Sequence, residues 1–168
     1  MLTALAWVHN GAPTYAFEGL IVSSASTLTW LRDEFALTGD VPELEKLASS
    51  VPDNGGVFLV PPYTNLGTAN GKAPTRAVIS GVSSRNDRRH IARAGFESIA
   101  YQIRDTLDAM RSGAGVSLGA LQADGGPTAS RFLMQFTADL IRVELRVASV
   151  SNGSALGAVL AGRLGLGL

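Results

Sequence analysis

Cysteine is absent from the 168 residues, so neither a disulfide framework nor a thiolate metal site can form. Histidine is nearly absent too. His9 and His90 stand far apart and outside any helical ligand spacing, which argues against zinc. Net charge is also lacking: fourteen basic residues balance fourteen acidic ones, so no overall field draws the chain toward nucleic acid or an anionic membrane. No apolar run has the length and flanks of a membrane span or leader. Met1 to Val8 is short and has no basic flank, and Ala155 to Leu168 is broken by Arg163 and by glycines at 157, 162, 165 and 167. The closing run reads as a buried helix with a loose tail, and the chain as a whole as a soluble cytoplasmic domain.

What remains is an apolar fraction of 46 % with charged residues at only 17 %, the composition of one globular domain with a single core. Leu2 to Val8 reads as a strand, turned by Asn10-Gly11 into a second strand, Thr14 to Phe17. Ile21, Ala25, Leu28 and Leu31 recur at helical spacing within Leu20 to Phe35. Pro42 to Ser50 is expected to be a short helix with proline in its first turn. Val57 to Val60 reads as a buried strand and Arg76 to Val82 as another, joined by the polar loop Tyr63 to Thr75. Asn86 or Asp87 can cap a long helix with Ile91, Gly95, Ile99, Ile103, Leu107 and Met110 inward, ended by Ser112-Gly113. Strand Leu118 to Ala123, helix Thr128 to Ile141, strand Val143 to Ala148 and helix Ser154 to Arg163 follow. Phe132, Phe136 and Leu140 are expected to face the core. Short strands alternating with helices define an α/β sheet domain.

The segment Leu121 to Phe132 carries the clearest chemical signal. A strand runs into Asp124-Gly125-Gly126 and then into a helix start. Paired glycines let a ligand approach the backbone, and a helix N-terminus offers free N–H groups to a phosphate. The same pair can equally be a sharp β-to-α turn. The three-glycine dinucleotide fingerprint is missing, which disfavours a Rossmann-like oxidoreductase. Glu97, one turn from Tyr101 and two from Arg104, reads either as a catalytic acid or, preferably, as a member of a polar network on its helix. His90, in a first helical turn where the dipole disfavours a cation, reads as structural.

The order of these segments resembles, almost end to end, the C-terminal domain of the FGGY carbohydrate kinases, of the glycerol-kinase-like kind. The likeness is carried by Tyr15-Ala16-Phe17-Glu18-Gly19 with Trp30-Leu31-Arg32-Asp33, by Val60-Pro61-Pro62-Tyr63-Thr64-Asn65-Leu66-Gly67, and by Arg76 to Gly81 with His90-Ile91 and Glu97 to Gln102. Asp124-Gly125-Gly126 with Phe132-Leu133-Met134-Gln135, and Ala155-Leu156-Gly157-Ala158, complete it.

The resemblance implies an actin-like, ribonuclease-H-like ATPase domain spanning residues 1–168, truncated at its N-terminal strands. Its partner domain would bind a sugar or polyol, while this one binds ATP or ADP with Mg²⁺. Gly126 would contact the nucleotide, Gly125 and Asp124 would shape the loop, and Ser130 would lie near the adenine. Arg85 and Arg89 belong to the stretch Ser84 to Arg89, which would lie against the nucleotide or, equally, be a solvated loop.

The chain departs from the family pattern at Arg85, at Thr68 to Gly71 and at Asn152, which argues against glycerol as the substrate. Upstream of Met1 the family would carry a Gly-Asp strand with the proton acceptor and a Gly-Thr-Gly phosphate hairpin. Without them the expected activity of the isolated chain is none, and the competing reading is a catalytically silent binding or assembly module. Leu2 to Val8 would then present an uncovered edge with no lysine, proline or bulge to protect it, which leads to an expected homo-oligomer.

Overall fold

A computed structural model of the chain describes residues 2–21, 23–61, 76–115, 118–150 and 153–167. The loop from Tyr63, the Thr68 to Gly71 departure and Asn152 lie outside them.

The organising element is a helix of 27 residues. Strands β1 (Leu2–His9), β2 (Ala12–Glu18), helices α1 (Ala25–Asp33) and α2 (Val41–Ser49), and strands β3 (Phe58–Val60) and β4 (Val78–Ser80) precede it. The long helix is α3 (Arg88–Ala114). Strand β5 (Ala120–Ala123), a 3-10 turn (Gly126–Ala129), α4 (Arg131–Ile141), β6 (Glu144–Val147) and α5 (Gly153–Gly165) follow.

Asp87 starts α3 through a capping box: its carboxylate accepts the Arg89 N–H at 2.9 Å, and His90 Nδ1 accepts the Asp87 N–H at 3.1 Å. His90 is therefore structural, as its place in the first turn suggests. The helix runs through Ser112-Gly113 and ends at Gly115, whose φ of 64° lets its N–H return to Arg111. The left-handed glycine, two residues beyond Gly113, is what stops it.

Ala94, Phe96, Ile99 and Ala100 are buried on α3, with Leu31, Leu44, Leu59 and Leu133 packed around them from α1, α2, β3 and α4. The last of these contacts sets a direction. Phe96 meets Phe132 edge to face at 5.7 Å between ring centres, Tyr101 meets Phe136 at 6.0 Å, and Arg104 Nη1 donates to the Leu140 carbonyl at 2.6 Å. Numbers rise together along both helices, so α3 and α4 run parallel.

Strands β5 and β6 are parallel and in register from Ala120↔Glu144 to Ala123↔Val147, with α4 as the crossover between them. Their carboxyl ends therefore face the same way. β1 and β2 form the expected hairpin about Asn10-Gly11, and β3 pairs antiparallel with β4.

Several elements differ from expectation. The helix foreseen from Leu20 begins only at Ala25, and its buried residues are Thr27, Leu28 and Leu31. β3 is buried on one face only: Leu59 is covered, while Phe58 and Val60 are about half exposed. On α4 the fully buried stripe is Leu133, Thr137 and Ile141, with Phe132, Phe136 and Leu140 at its margin.

α5 is not buried at all. Its stripe of Leu156, Val159, Leu160 and Leu164 is exposed, because no element among the described residues covers it. The edge of β1 is not bare either, since its register shifts between Leu5 and Trp7. That irregularity is one of the devices that protect an edge strand.

Candidate nucleotide site

The carboxyl ends of parallel strands are where open α/β sheets receive ligands. At the end of β5, Gly125 takes φ 95° and ψ 177°, a conformation that a side chain would oppose, and its carbonyl accepts the Thr128 hydroxyl at 2.7 Å and the Thr128 N–H at 3.1 Å. A Cβ built on Gly125 or on Gly126 meets nothing within 4 Å. The turn is thus open on its outer side, and the backbone there can be approached closely.

Asp124 binds the turn to its neighbour. Oδ1 accepts the Gly125 N–H at 2.6 Å and Oδ2 accepts the N–H of Gly153, the first residue of α5, at 3.0 Å. One carboxylate therefore ties the end of β5 to the helix that follows β6. Ser130 is the N-cap of α4, and its buried hydroxyl accepts the Leu133 N–H at 3.1 Å.

The neighbouring Phe132 N–H donates at 2.9 Å to Glu45 Oε1, on α2. The expectation of free N–H groups fails for two of those at this helix start. Phe132 and Leu133 are already satisfied, and the Gly153 N–H of α5 is taken by Asp124.

Arg85 and Arg89 lie at the start of α3. Arg89 makes a paired contact with Asp87, with Nη2 to Oδ2 at 2.7 Å, and this hydrogen bond is the main reason the Asp87 carboxyl is held well below the usual carboxylate range. Arg85 is exposed in the loop ahead of the helix. α4 begins level with Phe96, seven residues beyond Arg89, so the two arginines lie toward the same end of the helix pair as the glycine turn but roughly two turns of helix away.

Glu97 is no free acid. It is buried, accepts Arg93 Nε at 2.7 Å, Asn54 Nδ2 at 2.9 Å and the Tyr101 hydroxyl at 3.2 Å. Arg93 also donates to the Val51 carbonyl and lies over the Phe132 ring at 4.5 Å. Burial, and then the Glu97 charge, push the Tyr101 phenol up. The polar-network reading holds, and the network joins the loop before β3 to α3 and α4.

Sequence inspection missed Glu45 and Asn54. Each meets its partner across long stretches of chain, 87 and 43 residues respectively, and no local pattern marks such a pair. Among the described residues no group of three or more His, Asp or Glu is placed to hold a metal ion, so Mg²⁺ is assigned no residue of this chain.

An α/β domain with an open glycine turn at the carboxyl end of a parallel strand fits the actin-like group of ATPase folds, and the comparisons with known proteins agree. The FGGY family of carbohydrate kinases, C-terminal domain, matches residues 3–165. The chain belongs to this family. It is 41 % identical over 167 residues to a glycerol kinase of Nitratidesulfovibrio vulgaris, covering 99 % of this chain and 34 % of that protein. It is 44 % identical over 167 residues to a glycerol kinase of Shewanella baltica, again covering 99 % and 34 %.

Among solved structures, Plasmodium falciparum glycerol kinase with ADP superposes with a TM-score of 0.81 at 31 % identity, over 94 % of this chain and 31 % of that one. A xylulose kinase from Bifidobacterium adolescentis gives 0.65 at 26 %, over 84 % and 29 %. The chain spans about a third of the length of the relatives it matches. The two relatives at 41 % and 44 % identity bear the name glycerol kinase, whereas the departures at Arg85, Thr68 to Gly71 and Asn152 led to the expectation of a different substrate.

Proposed function

We propose that this chain is the nucleotide-binding part of an ATP-dependent cytoplasmic kinase acting on a sugar or polyol, with glycerol as the first candidate because its curated relatives bear that name. The observation that carries the reading is the open turn at Gly125 and Gly126, in a domain whose fold matches a kinase described with ADP. When bound, ATP would supply the γ-phosphoryl group for transfer to a substrate hydroxyl, a reaction that depends on positioning and on charge stabilisation.

This chain's own contribution is positional. Gly126 admits the ligand to the backbone, and Gly125 holds the turn. Asp124 fixes the turn against α5, and Ser130 and Glu45 hold the first turn of α4 in place. Arg85 and Arg89 would lie beside the nucleotide at the start of α3. Carboxylates that could take a substrate proton are not gathered at this turn, since Asp124 and Glu45 are both engaged in capping.

Calorimetric titration with ADP tests the reading: saturable binding is expected, with no turnover of a sugar and polyol panel in a coupled ADP-release assay. Absence of ADP binding would instead favour the catalytically silent module. That alternative has one structural observation behind it, the prior occupation of the α4 and α5 N-termini by carboxylates.

A further inference from the structure

The turn Asn54-Gly55-Gly56 ahead of β3 touches two distant segments at once. On one side, Asn54 Nδ2 donates to Glu97 Oε2 at 2.9 Å, and Glu97 Oε1 accepts Arg93 Nε at 2.7 Å. Arg93 in turn lies over the ring of Phe132, in the first turn of α4. On the other side, the Gly55 carbonyl accepts Asn86 Nδ2 at 3.0 Å, and Asn86 Oδ1 accepts the Ser83 N–H and hydroxyl, both at 2.8 Å. The backbones close in at the same place, since a Cβ on Gly81 would run into the Gly56 carbonyl. The loop from Gly81 to Asn86, which carries Arg85, is therefore seated on the turn.

Asn54 links the two sides, and its amide suits both. Oδ1 accepts the Gly56 N–H at 2.9 Å and shapes the turn, while Nδ2 fastens the turn to the buried Glu97 carboxylate. Aspartate would keep the first bond and repel Glu97, and alanine would make neither. From this arrangement, which rests on the nucleotide reading of the Arg85 segment, we infer that Asn54 is a positioning residue for the nucleotide site. It braces the Arg85 loop against α3 and keeps it in fixed relation to the start of α4. Without the brace the loop is held by its chain connections to β4 and α3, about which it can pivot. The Arg85 guanidinium is exposed and has no ion-pair partner among the described residues. A braced loop presents that cation already ordered, so the ligand does not bear the cost of ordering it.

The experiment measures ADP binding to the full chain by calorimetry, for the unmodified form, Asn54→Ala, Arg85→Ala and the double variant. Amide exchange at Ser83 and Asn86 is followed separately in the absence of ligand. Asn86→Ala is added as a variant at the outer end of the same bonds. It unseats the loop without touching Glu97, which preserves the test if Asn54→Ala folds poorly.

Asn54→Ala and Asn86→Ala should each weaken ADP binding about fivefold. In the Arg85→Ala background, the further loss of Asn54 should change affinity by less than about twofold, because the loop then has no charge to present. Exchange at Ser83 and Asn86 should speed about tenfold in Asn54→Ala, while Ala94 to Ala100 on α3 stay protected. Equal ADP affinity in the parent and both asparagine variants would overturn the inference. So would an undiminished loss from Asn54→Ala in the Arg85→Ala background, which a merely structural role produces. If no form binds ADP, the nucleotide reading falls, and exchange alone decides the brace: faster exchange at Ser83 and Asn86 sustains it, and unchanged exchange refutes it.

Discussion

Asp124 and Gly153 are joined across 29 residues by a hydrogen bond of 3.0 Å from the Gly153 N–H to Oδ2. The other oxygen, Oδ1, holds the Gly125 N–H, so one side chain fastens both β-to-α junctions of the parallel pair. α5 has no buried residue and depends on this contact more than a packed helix would. A methyl at Gly153 would run into the Asp124 carboxylate. Asp124→Ala should cost about 1 kcal/mol and, more tellingly, speed amide exchange throughout α5 while α3 and α4 keep their protection. Unchanged exchange in α5 would show that other contacts hold it.

The two glycines of the turn should separate in their effects. Gly125 sits at φ 95°, so Gly125→Ala strains the backbone and should lower stability by about 1 kcal/mol. Gly126 has no positive φ and open space around its would-be Cβ, so Gly126→Val should leave the melting temperature nearly unchanged. In ADP calorimetry Gly126→Val should weaken binding by about tenfold or more, because the branched side chain fills the approach. Equal ADP affinity in parent and variant would make the turn merely architectural.

Removal of Glu97 should be severe. The Arg93 side chain is 13 % exposed and that of Glu97 5 %, so Glu97→Ala leaves a guanidinium buried without its charge partner. A loss of about 3–5 kcal/mol is expected in urea denaturation. A change below about 1 kcal/mol would mean that the Val51 carbonyl and the Phe132 ring suffice for Arg93.

Thr137 offers the opposite case. It is fully buried, and its hydroxyl has no hydrogen-bond partner. Thr137→Val keeps the shape and removes an unsatisfied polar group, so stability should rise by about 1 kcal/mol. Thermal unfolding decides it, and a lower melting temperature would reveal a partner for the hydroxyl.

The register shift between Leu5 and Trp7 interrupts the edge of β1 through which self-association would run. Leu5, Trp7 and Tyr15 remain 56–65 % exposed, and an apolar surface of this kind favours pairing. Light scattering at micromolar concentration should show a dimer that Leu5→Lys shifts toward monomer. A clean monomer for the unmodified chain would end the proposal.

Much of this domain was legible residue by residue. The Asn10-Gly11 hairpin, the Asp87 cap, the strand before Asp124 and the structural part of His90 each follow from preferences that act over three or four positions. Those local rules set the order of elements and place the glycine turn between a strand and a helix. They could not say which apolar stripe would find cover. The stripe of α5 looks like any buried helix, yet nothing described lies over it, whereas α3 is enclosed on all sides between Ala94 and Ala100. Nor could they tell that the start of α4 is already occupied. Ser130 announces its cap locally, but Glu45 arrives from 87 residues away, by a contact that exists only once α2 and α4 have both packed against α3. The sequence by itself determined the elements and the turn. Only tertiary packing decided which N–H groups remained for a ligand, because hydrogen bonds between distant segments are set by where helices dock and not by local propensity.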